Sequence, residues 1–361
     1  MTTPALGLRT GVLLLGQHAP HRLVDLATLA EALGYDDLWY ADERFYREVY
    51  GGLTLCALRT TRLRLGPCVT DPYSRHPALT AMAIATLDEV SGGRAVLGIG
   101  AGVSGFRELG IVRDRPALAI REAVHVIRAL LRGETVTFRG ALVSVDGARL
   151  DFTPLRPAIP IYVASNASRG LQTAGRVADG AMMQGCVADA ALAYFRAHVA
   201  RGARAAGRDP AAIELVARIN VCIHDDPDVA RHLMRRSVAV SLIAQQPDFP
   251  GFVAAGLEVP PQLREAVRGL SYGYLSEAAT QVAALVPDAF VDALTLAGPV
   301  EVVAAGVARM AARGIRAFVM YPMDPDGRIE RTIERFATEV LPRAAQLLAS
   351  PARPVDDPKT P

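Results

Sequence analysis

The sequence predicts an α/β fold: a (β/α)8 TIM barrel with an inserted hairpin and an extra helical insertion late in the chain. Three observations carry this reading. Short apolar runs alternate with longer segments of helical period, as repeated βα units around a parallel sheet require. The runs that read as strands come to eight. A barrel of this kind takes roughly 250 residues, and the excess in a chain of 361 is met by the hairpin, the insertion and a C-terminal tail.

The units follow one grammar. Strand one is VLLLG, Val12 to Gly16, followed by RLVDLATLAEALG, whose Leu23, Leu26, Leu29, Ala30 and Leu33 share one helical face. Gly34 closes that helix as a C-terminal cap. Strand two, DDLWYAD, ends at Asp42, and strand three, LRLGPCVTDP, ends near Asp71, with Pro72 and Pro77 punctuating the loop beyond it. The helix HPALTAMAIATLDEVSGG comes next, and strand four, AVLGIGAG, begins at Ala95. RPALAIREAVHVIRALLRG has proline in its first turn and glycine past its end, the usual helix asymmetry. Residues 135–152 alternate apolar and polar around RG and DG turns and predict a hairpin inserted between units. Strands five to eight are IPIYVASN, AMMQG, IELVARINVCIHDD and AFVMYPM.

From about 227 to 299 the helical text is too long for one barrel helix, and Pro247, Pro250, Pro260 and Pro261 divide it into short helices expected to cover one mouth of the barrel. Residues 1–350 read as a single TIM-barrel domain, and the tail 351–361, PARPVDDPKTP, reads as disordered.

Composition narrows the partners. With 39 basic against 37 acidic residues and a net charge of +2, no strong field marks a nucleic-acid or membrane-surface binder, so small molecules are the expected partners. Cys56, Cys68, Cys186 and Cys222 are scattered without CxxC pairs or matching histidines, which predicts neither a metal site nor a disulfide framework. That cysteine usage makes a cytoplasmic location the default expectation. The first apolar run is too short for a membrane span, lacks a basic start and reads as a buried strand.

Chemistry in such barrels sits where strands end. Those ends read YADE at 40–43, CVTDPYSRHP at 68–77, GAGVSG at 100–105, ASNASRG at 164–170 and MQG at 183–185. GAGVSG fits the dinucleotide pattern GxGxxG, but the helix after it waits until about Pro116, whereas that fingerprint needs the helix to open on the glycines. The alternative is that the glycines let backbone approach backbone, or a flat ring. ASNASRG offers Ser165, Asn166 and Ser168 beside free N–H groups at a helix start, suited either to a phosphate or to ordinary capping. Asp42 and Glu43 are candidates for acid/base work, although neighbours on a strand point opposite ways and either could instead pair with Arg44 or Arg47. His76 reads as a helix start or a proton donor, Cys68 as core rather than nucleophile, and Trp39 as core or cofactor border.

At GPCVTDPYSRHPALTAMAIATLDEVSGGRAVLGIGAG, residues 66–102, the chain resembles the bacterial-luciferase-like superfamily, and within it the F420-dependent branch related to methylenetetrahydromethanopterin reductase. The likeness extends more weakly over the whole barrel. It implies a non-proline cis peptide at Cys68-Val69, forming a bulge behind a tricyclic ring, with Val69 and Thr70 touching that ring. It further implies Asp42 at the ring's polar edge, Gly100, Ala101 and Gly102 lining it, and Ser165, Asn166, Ala167 and Ser168 on a phosphate. Gln184 and Gly185 are further cofactor candidates. The glucose-6-phosphate dehydrogenase branch has histidine where Glu43 stands and glutamate where Val103 stands, which argues against that sugar substrate.

The resemblance thus implies a coenzyme F420-dependent oxidoreductase, acting as a reductase that passes hydride to an activated C=C or C=N bond of a small or peptide-like substrate. Glu43 is the first candidate acid, given a burial-raised pKa, and Tyr73 and His76 follow. Family likeness also implies a homodimer. The competing readings are an FMN-dependent monooxygenase on the same barrel and a flavin-binding barrel without turnover.

Overall fold

A computed structural model describes residues 7–273 and 277–349, so the reading of the tail at 351–361 lies outside the described residues. The strands are β1 (Arg9–Leu14), β2 (Asp37–Tyr40), β3 (Arg64–Pro67), β4 (Leu97–Ile99), β5 (Val136–Arg139), β6 (Ser144–Ala148), β7 (Ile161–Ala164), β8 (Gly180–Gln184), β9 (Glu214–Ile223), β10 (Thr295–Gly298) and β11 (Ala317–Pro322). Around the main sheet the order is β3-β2-β1-β11-β9-β8-β7-β4, with parallel pairing throughout. Two parallel bridges, Leu65 with Ala95 and Thr70 with Ile99, bring β4 back to β3 and nearly close an eight-stranded barrel. These eight strands are the runs predicted from sequence.

Backbone proximity makes this seam. A Cβ on Gly66 would fall well inside contact with the Val96 carbonyl oxygen, and one on Gly98 would meet the Pro67 carbonyl oxygen in the same way. Inside the barrel Leu13, Leu15, Trp39, Ala41, Val96, Met182, Val216 and Val319 pack together, the inward half of each strand's alternation. Trp39 is fully buried with its ring edge-on to Tyr162 at 5.6 Å, so it is core. The N-terminal end of the barrel is plugged by charge. Asp37 receives Arg9 at 2.8 Å and Arg64 at 2.7 Å, while Glu214 receives Arg9 at 2.6 Å and the Tyr162 hydroxyl at 2.7 Å. Conserving such groups in water-poor space requires every partner to be present, because one removed member leaves a charge uncompensated.

Four features depart from the sequence reading. A helix, Val49–Arg59, joins β2 to β3; Gly51 and Gly52 weaken its helical signal, yet Gly52 is needed because the Tyr40 ring lies against it. β10 was not predicted, and it pairs with the outer half of β9, Thr295 beside Asn220. Strand two ends at Tyr40 rather than Asp42. In the hairpin the turn falls at residues 140–143, while Gly147 of the DG pair sits inside β6 at φ 60°, across from a shifted register in β5. Glu122 decides where that turn lies: its carboxylate accepts the N–H groups of Ala141, Leu142 and Val143 at 2.9, 2.9 and 3.0 Å.

The late insertion comprises helices Pro227–Gln245, Pro250–Ala254, Pro261–Val267, Glu277–Ala283 and Asp288–Leu294. Its first helix, at 19 residues, fills the stretch before Pro247 and is not one of the short helices expected. No helix among the described residues is long and apolar enough to cross a membrane.

The seam yields a test. Gly66→Ala should cost about 3 kcal/mol or more, since backbone on the opposing strand must move. Gly110→Ala, with a positive φ but nothing within 4 Å of the new Cβ, should cost about 1 kcal/mol. Urea unfolding midpoints of the two variants check this, and equal losses would remove the seam argument.

Candidate active site

The C-terminal ends of β2, β3, β4, β7, β8 and β9 converge on one mouth, and the polar residues there fall into three groups. The first is an ion cluster. Arg44 Nη1 donates to Asp42 Oδ1 at 2.8 Å, and Arg44 Nη2 donates to Asp71 Oδ2. Asp71, fully buried, also accepts the N–H groups of Tyr73 and Ser74 at 2.8 and 2.7 Å and the Ser74 hydroxyl at 2.8 Å. Asp71 is therefore saturated and organises its loop. Asp42 is not: its Oδ2 is buried without a partner, and the buried Thr70 hydroxyl facing it makes no hydrogen bond of good geometry. Burial pushes the Asp42 carboxyl above its ordinary value, against the pull of Arg44 and Thr70.

Glu43 forms the second group. Beyond Tyr40 the chain has left the strand, so strand alternation no longer separates Asp42 from Glu43 and both carboxyls are drawn into the mouth. Tyr272, reaching in from the late insertion, donates its hydroxyl to Glu43 Oε1 at 2.8 Å, and Oε2 is buried without a partner. Burial raises the Glu43 carboxyl above its ordinary value, outweighing the Tyr272 hydrogen bond and the charges of Arg218 and Arg44. With Oε1 accepting, the acidic proton belongs on Oε2.

The floor between these groups is the seam. The Cys68–Val69 peptide is cis. Val69 lies against β4, where a Cβ on Gly100 would come 2.7 Å from its Cγ2. Gly102, at φ 63°, closes on Asp71 and Phe106 in the same way. GAGVSG is thus a loop of close approach that runs on to a helix starting only at Pro116, as the argument against a dinucleotide fingerprint required. The Cys68 thiol lies 3.5 Å from Met182 Sδ and burial pushes its pKa up to about 12, so it stays protonated and is no nucleophile.

The third group is the 164–170 loop. Neither Ser168 nor Asn166 caps the following helix, Ser168–Val177: the capping position is Ala167, which offers no side-chain cap, so that helix start keeps backbone N–H groups of the kind that a phosphate site uses. Ser165 Oγ accepts Ala167 N–H at 3.1 Å, and Gly170 leaves room for it. Asn166 instead clamps β8, its Nδ2 donating to the Gln184 carbonyl at 2.9 Å and its Oδ1 accepting Gln184 N–H at 3.1 Å. Gln184 Nε2 continues to Ser241 Oγ at 2.9 Å, and Gly185 takes a φ of 70° against Leu294.

Two candidate acids stand apart from Glu43. The Tyr73 hydroxyl donates to the Asp114 carbonyl at 2.6 Å, and burial pushes its pKa up to about 12. The His76 ring caps its helix, Nδ1 accepting Ala78 N–H at 3.2 Å, while Nε2 meets the Ser144 carbonyl of the hairpin at 3.2 Å. Four contributors escaped the sequence reading: Arg44 as a hub, Gly98 as a seam residue, Tyr272, and Arg218, whose guanidinium stands 5.3 Å from the Tyr321 ring centroid. Arg218 was the one with a signal, a charge inside an apolar strand. Among the described residues no group of three or more His, Cys, Asp or Glu is placed to hold a metal ion.

A family model described as luciferase-like monooxygenase matches residues 5–317. The chain is 33% identical over 318 residues to the 5,10-methylenetetrahydromethanopterin reductase of Archaeoglobus fulgidus, covering 87% of this chain and 93% of that protein. It is 34% identical over 246 residues to an F420-dependent glucose-6-phosphate dehydrogenase of Kineococcus radiotolerans, covering 64% and 73%. Among solved structures, the coenzyme F420-dependent tetrahydromethanopterin reductase from Methanopyrus kandleri superposes with a TM-score of 0.81 at 28% identity, over 93% of this chain and 99% of that one.

Glu43 makes stability depend on pH in a defined sense. Because its folded pKa is raised, the folded state keeps the proton longer than the unfolded chain, whose value is about 4.5, and stability falls as pH rises from there through the folded value. Glu43→Gln, which cannot ionise, should therefore gain stability relative to the parent when the pH is raised from 4.5 to neutral. Urea unfolding at both pH values measures it, and a constant difference would mean Glu43 titrates normally.

Proposed function

The chain belongs to the luciferase-like monooxygenase family, and from that premise we propose that it is a coenzyme F420-dependent reductase acting on an activated C=C or C=N bond of a small or peptide-like substrate. The observation that carries the reading is the pairing, at one mouth, of a glycine-lined floor with a buried carboxyl whose free oxygen favours its protonated form. The relatives with which the chain shares most of its length favour F420 over FMN.

The residues fit such a group. Val69 and Gly100 would support its ring, and the uncapped first turn at Ser168, with Ser165 and Ala167, would take its phosphate. Asp42 Oδ2 and Thr70 Oγ1, both buried and close to one another without a well-formed hydrogen bond, would meet the ring's polar edge. When bound, reduced deazaflavin supplies a hydride and no oxygen chemistry. Glu43 Oε2 then supplies the proton that completes reduction of the double bond, so one hydride and one proton add across it. Tyr272 holds Oε1 and so aims Oε2. Once the proton has left, the charges of Arg218 and Arg44 stabilise the carboxylate that remains. Tyr73 and His76 are proposed only as loop and hairpin supports. A homodimer is the proposed assembly.

Fluorescence titration of the purified protein with F420 and with FMN tests the cofactor; micromolar FMN binding with none for F420 would reverse the choice. Glu43→Gln should keep F420 affinity and lower turnover of reduced F420 by roughly 10² or more. Unchanged turnover would remove Glu43 from the mechanism.

A further inference from the structure

Two arginines at the mouth, Arg218 and Arg236, have no ligand of their own assigned so far. Arg218 is the fifth residue of β9, in phase with the inward-facing Val216. It donates to Asn220 Oδ1 at 2.7 Å while lying over the Tyr321 ring. Asn220 Nδ2 in turn donates to Ser237 Oγ on the helix Pro227–Gln245. Arg236, next to that serine, has its Nε shut off from solvent without a hydrogen-bond partner. Among the described residues, neither Arg218 nor Arg236 makes an ion pair with a carboxylate.

The neighbouring cations are engaged. Arg44 pairs with Asp42 and Asp71, Arg75 pairs with Glu48, Arg47 donates to the carbonyls of Gly16 and Gln17, and Arg113 donates to that of Gly102. The Asn220–Ser237 hydrogen bond ties the strand that carries Arg218 to the helix that carries Arg236, and both charges bear on the Glu43 side of the mouth, Arg218 on Glu43 and Cys68 and Arg236 on Tyr46, which also feels Glu43. Guanidinium groups partly withdrawn from water are stable when an anion meets them, and their planar fork suits two oxygens at once.

We propose that Arg218 and Arg236 receive an anionic group of the substrate, a carboxylate or a phosphoryl, and hold it at the mouth beside Glu43. One arginine comes from the barrel wall and the other from the insertion, so the anion is gripped from two elements. Arg218 is already oriented by Asn220 and Tyr321, and a fixed anchor of this kind sets how far the reducible bond lies from Glu43 Oε2. The inference rests on the reading of this mouth as the deazaflavin site, in which the cofactor phosphate goes to the 164–170 loop and leaves the arginines to the substrate.

Calorimetric titration of the F420-loaded protein with inorganic phosphate, succinate and uncharged succinamide tests it. At least one anion should bind where succinamide does not, and the tighter of the two assigns phosphoryl or carboxylate. Arg218→Gln and Arg236→Gln should each weaken that anion by roughly tenfold or more, with Arg236→Lys intermediate. F420 affinity of both Gln variants should stay within about twofold of the parent, because no cofactor contact is assigned to either side chain. Absence of anion binding, equal binding of succinate and succinamide, or anion affinity unchanged in both variants overturns the proposal. Loss of F420 affinity in the variants also overturns it, by assigning the arginines to the cofactor, and leaves the deazaflavin reading intact. If the parent itself binds no F420, the cofactor reading fails separately, and the same succinate titration of the unloaded parent and variants still decides for or against the arginine pair.

Discussion

The close approach of β3 and β4 is the constraint on which the rest of the molecule depends. Parallel strands in a barrel sit at fixed hydrogen-bonding distance, but here only two bridges join these two strands, and between them the backbone of one presses on the other at Gly66 and Gly98. Side chains at those positions would force the strands apart and open the barrel. The same approach sets Val69 on Gly100 and buries Thr70 beside Asp42, so closure of the fold and construction of the cofactor floor are one packing event.

Around that floor the acidic residues divide by how completely they are met. Asp37 and Asp71 are each held by several donors, as buried carboxylates must be if they are to remain charged. Asp42 and Glu43 each keep one oxygen without a partner, and burial moves both toward the protonated form. The first pair maintains structure. The second is available for recognition and proton transfer, and it sits on the face where the strands end, as barrel architecture leads one to expect.

Much of the fold was legible because burial imposes periodicity on a sequence. The eight barrel strands are apolar runs, and the helices Pro20–Ala32, Pro77–Ser91 and Pro116–Leu131 carry both apolar faces and end signals. Where local preference and tertiary demand disagree, the reading failed. Val49–Arg59 contains two glycines that argue against a helix, and one of them is there because a tyrosine ring from β2 needs the room. The DG pair at 146–147 looks like a turn, but three N–H groups captured by Glu122 from another element put the turn at 140–143. β10 is four residues long and is a strand only because the outer half of β9 offers it an edge.

The candidate site divides in the same way. The sequence by itself determined the alternation that makes a barrel, the strand ends that carry polar and small residues, and the resemblance that pointed to Val69, Thr70, Gly100 and the 164–170 loop. These depend on neighbours along the chain, or on motifs short enough to read as text. Only the tertiary structure decided that Glu43 is held by Tyr272, 229 residues away, that Asn166 clamps Gln184 rather than capping a helix, and that Arg218 is tied through Asn220 to Ser237, the neighbour of Arg236. The physical reason is that hydrogen bonding and desolvation depend on distance in space, and strands far apart in sequence meet only when the barrel closes.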